Sequence, residues 1–244
     1  MCMCAAMRAR GVEPLIWPGN PLPLGEATHV LSSVSPKDGA DPVLKEARDA
    51  IASADLEWVA YLSTTSVYGN HDGAWVDENT PLNPNLNRAS DRIAAEQAWR
   101  DTGQPVHVFR LAGIYGPGRS PLKKVAKPDA KRVMKEGQVF SRIHTEDIAA
   151  VLHASIQNPV PGTYNLCDEE PAPPQDVLEF AADLLGIDAP PKVDFENAEM
   201  SKMARSFYAD NKRVRNDLAK RTFGWTPIYP TYREGLRQIF DTES

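Results

Sequence analysis

An α/β architecture, a doubly wound parallel sheet with helices on its faces, is what this sequence predicts, and three observations carry the prediction. An apolar run, Trp58-Val59-Ala60-Tyr61-Leu62, ends in the hydroxyls of Ser63, Thr64, Thr65 and Ser66 and then a Tyr68-Gly69 turn. A buried parallel strand delivers polar side chains to the sheet rim in this way, where ligands sit. A second run, Val106 to Leu111, leaves through the Gly- and Pro-rich stretch Gly113-Ile114-Tyr115-Gly116-Pro117-Gly118. Around both, strand and helix patterns alternate, as they do in parallel sheets.

Taken in order, Gly11 to Trp17 reads as a short strand closed by Pro18-Gly19. Thr28 to Val34 is a clearer buried strand. Asp41-Pro42 then starts a helix, an N-cap followed by proline at the first helical position, running to about Ala54. After the strand ending at Leu62 comes a polar loop through Pro84. Asn85 to Thr102 is helical, with Gly103 at its exit. Beyond the Val106–Leu111 strand, Glu146 to Gln157 reads as helix and Gly162 to Leu166 as strand. Pro174 to Leu185 reads as an amphipathic helix stopped by Gly186. Val214 to Phe223 and Tyr232 to Phe240 complete the helices. Pro171, Pro173 and Pro174 mark the clearest break in composition.

The chain of 244 residues has room for one large α/β domain, or a domain plus a small lobe. A net charge of -6 gives nothing to draw this surface towards nucleic acid or an anionic membrane. No run approaches the roughly 18 apolar residues of a membrane span. Arg8 and Arg10 have no apolar core behind them, so no secretory signal is read and a cytoplasmic address is expected. Cys2, Cys4 and Cys167 make no disulfide framework. Cys2-x-Cys4 could supply two metal ligands, but no second Cys or His pair lies at a zinc-like spacing. The two read as terminal thiols, and no metal site is expected.

Several segments, in order, resemble the extended short-chain dehydrogenase/reductases, the NAD(P)-dependent epimerase/dehydratase group. They are Ser63 to Gly69, the Arg110-Leu111 strand with Tyr115-Gly116-Pro117, and Arg142-Ile143-His144-Thr145-Glu146-Asp147-Ile148-Ala149. Tyr164-Asn165-Leu166 and Phe223-Gly224-Trp225-Thr226-Pro227 follow, with Tyr232-Arg233-Glu234-Gly235-Leu236. Gly11-Val12-Glu13-Pro14-Leu15 resembles an atypical branch of that group. The resemblance implies a Rossmann-like sheet and a small C-terminal substrate lobe. Residues 1–117 and 141–167 would form the sheet domain, and 118–140 with 168–244 the lobe and closing helices. It implies NAD or NADP as cofactor, a sugar-nucleotide or other small anionic substrate, and the family habit of homodimerising through helices 41–54 and 85–102. The small stripe Ser90, Ala94, Ala98 permits close contact there.

Two departures qualify this. The family opens with a strand running into Gly-x-x-Gly-x-x-Gly, which lets the backbone approach the cofactor pyrophosphate at a helix N-terminus. Gly11, Gly19 and Gly25 are too widely spaced for that. The first βαβ unit is therefore expected to be missing, and cofactor binding to be weak or lost. The family also places Tyr-x-x-x-Lys on the helix after the hydroxyl strand, the lysine lowering the tyrosine pKa for proton transfer. Counting from the family's Glu, matched by Glu96, that pair falls on Arg88 and Arg92. Arginine keeps its proton at any working pH, so Arg88 is no acid/base.

By the resemblance, Thr64, Arg92 and Tyr115 are the candidates for the catalytic roles. Thr64 would orient a substrate oxygen, Arg92 hold ribose or an anion, and Tyr115 act as a substitute acid. Val34, Ser35, Ser63, Arg92, Leu111, Ala112 and Gly113 would line the cofactor. Thr65, Arg88, Arg142 and His144 would face substrate. Plainer readings stand beside these. Thr64 could cap the strand exit, Tyr115 could pack its ring, and His144 could be a hydrogen-bonded core histidine. Arg88, Arg92, Glu96 and Arg100, four residues apart, also fit a salt-bridged helix face. An enzyme and a non-catalytic nucleotide- or partner-binding relative both remain open.

Overall fold

The computed structural model describes residues 3–243; Cys2, and with it the Cys2-x-Cys4 pairing, lies outside them. After α1 (Met3–Arg8), the chain runs through β1 (His29–Ser32), α2 (Pro42–Ser53), β2 (Trp58–Thr64), β3 (Trp75–Val76), α3 (Asn87–Arg100) and β4 (Val106–Leu111). Then come β5 (Gly113–Tyr115), α4 (Pro121–Val125), β6 (Arg132–Met134), β7 (Arg142–His144), α5 (Thr145–Gln157) and β8 (Gly162–Leu166). The chain closes with α6 (Pro174–Leu185), β9 (Lys192–Asp194), α7 (Lys202–Phe207), β10 (Arg213–Val214), α8 (Asp217–Phe223) and α9 (Tyr232–Glu243).

Four strands form one parallel sheet in the order β1-β2-β4-β8. Side chains alternate across it. Val59, Tyr61, Val106 and Val108 pack on one face against Val43, Leu44 and Ile51 of α2 and Ala95 and Trp99 of α3. Trp58, Ala60, Phe109 and Tyr164 pack on the other, against Val151 of α5 and Phe223 of α8. The sheet is wound on both faces, as its apolar runs predict. A third cluster joins Leu122 and Val125 of α4, Val177 and Leu178 of α6, and Tyr232, Leu236 and Ile239 of α9. Gly235 is required there, because a Cβ would overlap the Tyr115 ring.

Local chemistry sets the helix limits. Asp41 Oδ1 accepts from Val43 N at 2.8 Å and Leu44 N at 3.0 Å, capping α2 ahead of Pro42. Its Oδ2 accepts from Trp99 Nε1 at 3.0 Å, so the same carboxylate ties α2 to α3. Gly186, in the left-handed region, ends α6.

Two sequence expectations are corrected. Gly11 to Trp17 forms no strand: Pro14 offers no N–H, Val12, Leu15 and Ile16 stand exposed, and the segment pairs with no neighbour. Val214 does not begin a helix. It pairs in parallel with Val76, which lies within the stretch expected to be a polar loop, and α8 starts at Asp217. No described helix is long and apolar enough to cross a membrane. The described residues hold no group of three His, Cys, Asp or Glu side chains that could bind a metal.

Candidate functional site

The C-terminal rim of the sheet is built by register. Ser63 of β2, Arg110 of β4 and Asn165 of β8 stand side by side on the α3 face, one residue short of the strand ends. Ser63 Oγ donates to Glu96 Oε1 at 2.6 Å. Arg110 reaches the same carboxylate with Nε at 3.1 Å and Nη2 at 2.8 Å, a two-pronged pair. Arg110 Nη1 donates to Tyr68 Oη at 3.0 Å, and that hydroxyl donates to Asn165 Oδ1 at 2.8 Å. Glu96 is 1% exposed and Arg110 4%. This buried network fixes α3 against the strand ends, and so fixes the arginines that α3 carries.

Arg92 leans over the rim from α3. Its Nη1 donates to the Leu62 carbonyl at 2.8 Å and to Tyr61 Oη at 3.0 Å, and Nη2 donates to Ser35 Oγ at 2.7 Å. The guanidinium thus joins β2 to the loop after β1, where Val34 and Ser35 are exposed. No described carboxylate pairs with it or with Arg88. The tyrosine beside Arg92 is no proton shuttle at neutral pH. Burial pushes the Tyr61 hydroxyl up to about 12, with Arg92 acting the other way.

Thr64 closes β2 half-buried, and its Oγ1 accepts from Ser66 N at 3.2 Å, capping the short turn Thr65–Tyr68. Thr65 points inward and is buried. The turn ends at Gly69 with φ +71°, where a Cβ would overlap the Asn83 carbonyl. At the end of β4 Leu111 is buried, as is Ala112 after it, and Gly113 is exposed; Ala112 N donates to Leu166 O at 3.0 Å and Gly113 N to Ser141 O at 3.0 Å. One turn before Arg92, Arg88 donates through Nη2 to Ser206 Oγ at 3.0 Å and sits 4.7 Å above the Phe207 ring of α7. By contrast, Arg100 pairs with Glu96 at 3.4 Å and with Thr163 Oγ1 at 2.8 Å. The evenly spaced helix stripe therefore divides in two: Arg88 and Arg92 have neutral partners, and Arg100 is salt-bridged.

Tyr115, Arg142 and His144 form a separate group. Tyr115 Oη donates to Thr231 O at 3.4 Å, and burial pushes its pKa up. His144 is fully buried, its ring 5.1 Å from Tyr115 and 4.2 Å from Tyr229. Its Nδ1 accepts from Glu146 N at 3.2 Å, capping α5, and burial lowers its pKa. Arg142 donates to Phe140 O at 2.8 Å and Ala172 O at 3.2 Å. Near it Asp168, 2% exposed, has a carboxyl pushed up to about 8 by burial against the opposing pull of Arg142.

A cavity of about 470 Å³ is lined by Lys135, Gln138, Gln175, Asp194 and Arg213 among others. Its wall is a polar junction. Gln138 Nε2 donates to Asp210 O at 2.8 Å, and Lys212 Nζ donates to Gly69 O at 2.8 Å, so the 210–212 segment is bound to the turn that follows Thr64. Sequence reading missed Arg110, Tyr61, Asp168 and Gln138 as site residues. Only the polar side chains of Arg110 and Asn165, one residue short of their strand ends, signal any of it.

No protein-family model matches the chain. The solved structure of a functionally unknown conserved protein from Silicibacter pomeroyi shares 55% identity, covering 98% of this chain and 86% of its own, with a TM-score of 0.94. Protein YeeZ of Escherichia coli (strain K12) is 32% identical over 184 residues, 72% of this chain and 61% of its own. The chain thus spans about three fifths of the length of that curated relative. A dTDP-glucose 4,6-dehydratase from Bacillus anthracis, solved in complex with NAD, shares the fold: TM-score 0.68 at 17% identity, covering 97% of this chain and 74% of that one. The chain thus belongs to one family with the Silicibacter pomeroyi protein, and its doubly wound sheet shares the fold of that NAD-bound dehydratase.

Proposed function

We propose that the rim holds the anionic part of a sugar nucleotide or another small anionic substrate, in epimerase-, dehydratase- or reductase-type chemistry linked to NAD or NADP. The observation that supports this is Arg92, a guanidinium set over the strand ends on neutral partners only. An incoming phosphate or carboxylate, or a ribose hydroxyl, can exchange with Ser35 at little cost, because a charged acceptor binds guanidinium more strongly than a hydroxyl does. Arg88 offers a second such group one turn away. Thr64 Oγ1, which accepts from Ser66 N, would orient a substrate oxygen.

The fit to a dinucleotide is uneven. The rim suits the ribose end. The described residues supply no glycine-rich pyrophosphate cradle, and Asp41 already occupies the N–H groups at the start of α2. No hydride step is therefore assigned. A second reading, a nucleotide-binding relative without turnover, is favoured by the same residues: neither arginine releases a proton, and Tyr61 and Tyr115 are both pushed upward. In either case homodimerisation would use the outward faces of α2 and α3, where Ser90 and Ala94 are exposed.

Isothermal titration with NADH, NADPH and UDP-glucuronic acid tests the site. Arg92→Ala should weaken binding about 10- to 100-fold, the worth of a charged hydrogen bond, while Arg100→Ala changes it by less than about threefold. Equal, small effects would reject the rim site. Oxidation or reduction of the nicotinamide in the presence of substrate would separate an enzyme from a binder.

A further inference from the structure

Helix α7 spans only six residues, and two of its side chains, Met203 (64% exposed) and Phe207 (52% exposed), present an apolar face to solvent at i, i+4 spacing. Its C-terminal half is anchored by aromatic contacts. Tyr208 packs against Phe195 at 5.3 Å and Phe140 at 5.5 Å. Arg205 lies over the Phe195 ring at 4.6 Å and donates to Ala198 O at 3.0 Å. Between these anchors, the only described hydrogen bond from α7 to the elements of the sheet is Arg88 to Ser206. The same guanidinium covers the Phe207 ring.

Arg88 is thus a cation with a hydroxyl and an aromatic face as its partners, one turn from Arg92. Both partners bind a guanidinium weakly compared with a phosphate or carboxylate. We propose that Arg88 is an anion-released latch: it holds α7 down over the rim in the empty protein, and transfers its hydrogen bonds to the anionic group of a ligand, which frees α7. This rests on the proposed anion site. It assigns Arg88 a gating role rather than a catalytic one. Opening also releases Arg205 from Phe195 and Ala198, but it requires no unfolding of the core, because Tyr208 keeps its contacts with Phe195 and Phe140 just beyond α7.

Lys202 and Arg205 place two trypsin sites within the segment, so cleavage there reports how often it opens. Without any ligand, Ser206→Ala and Phe207→Ala should each raise the cleavage rate several-fold, and Arg88→Ala by about tenfold, with the melting temperature of the core unchanged. Adding inorganic pyrophosphate or UDP-glucuronic acid should raise the wild-type rate towards that of Arg88→Ala and leave that variant unaffected. Variants that are cleaved at the wild-type rate while folded would overturn the latch. So would an anion that binds by calorimetry and leaves cleavage unchanged, a result that spares the anion site itself. An anion that gives neither heat nor altered cleavage would overturn both.

Discussion

At the scale of single residues, two buried carboxyls behave in opposite ways because of their neighbours. Glu96 is clasped by Arg110 through two hydrogen bonds and by Ser63 through a third. Removing one member of such a pair strands the other charge in a dry interior. Glu96→Ala should therefore cost about 3–5 kcal/mol in denaturant unfolding, and replacing both residues with Leu and Met should cost less than the single change. A double variant as unstable as the single one would show that the pair contributes more than mutual neutralisation. Asp168 has the reverse problem. Burial raises its pKa to about 8 from the ordinary aspartate value near 4, so the folded state holds a proton that the unfolded state releases. Its contribution is intact below about pH 4 and is lost as pH rises towards 8. Asp168→Asn should remove that loss, stabilising the protein by about 1–3 kcal/mol near pH 8 and very little near pH 4. Thermal melts of the two proteins that keep a constant separation between these pH values would contradict this.

Among the elements, α2 and α3 depend on one side chain. Asp41 caps α2 through two backbone N–H groups and holds the Trp99 indole of α3. Asp41→Ala should cost about 2–3 kcal/mol, a cap plus a buried hydrogen bond, whereas Asp41→Asn should recover most of it. Urea unfolding midpoints would measure both. The cap is one of the features visible in the sequence, because Asp-Pro ahead of a periodic run is a local signal. The sheet strands 58–64 and 106–111 were legible for a similar reason: a strand buried on both faces writes a continuous apolar run. Pairing of Trp75–Val76 with Arg213–Val214 was not, since each is two residues long and depends on a partner far along the chain. The site divides along the same line. Arg88 and Arg92 were found by their place on one helix, relative to Glu96. The Glu96–Arg110 pair was not, because it is made by register across β4 and the reach of a long side chain. Asp168 opens the acidic run Asp168-Glu169-Glu170, and only burial separates it from the other two.

For the molecule as a whole, the described sheet has two edges: β1 has β2 as its one strand partner, and β8 has β4. Leu31, on β1, is 48% exposed, and Val34 just beyond it is 37% exposed. A row of backbone donors and acceptors beside exposed apolar side chains is a template on which another extended chain can add. In colloidal terms such an edge acts as a nucleation line. The protein's shelf life in concentrated solution should be governed there, well before the core melts. Leu31→Lys should slow the growth of light scattering in warmed, concentrated samples without lowering the unfolding midpoint, and an unchanged scattering rate would place the sticky surface elsewhere.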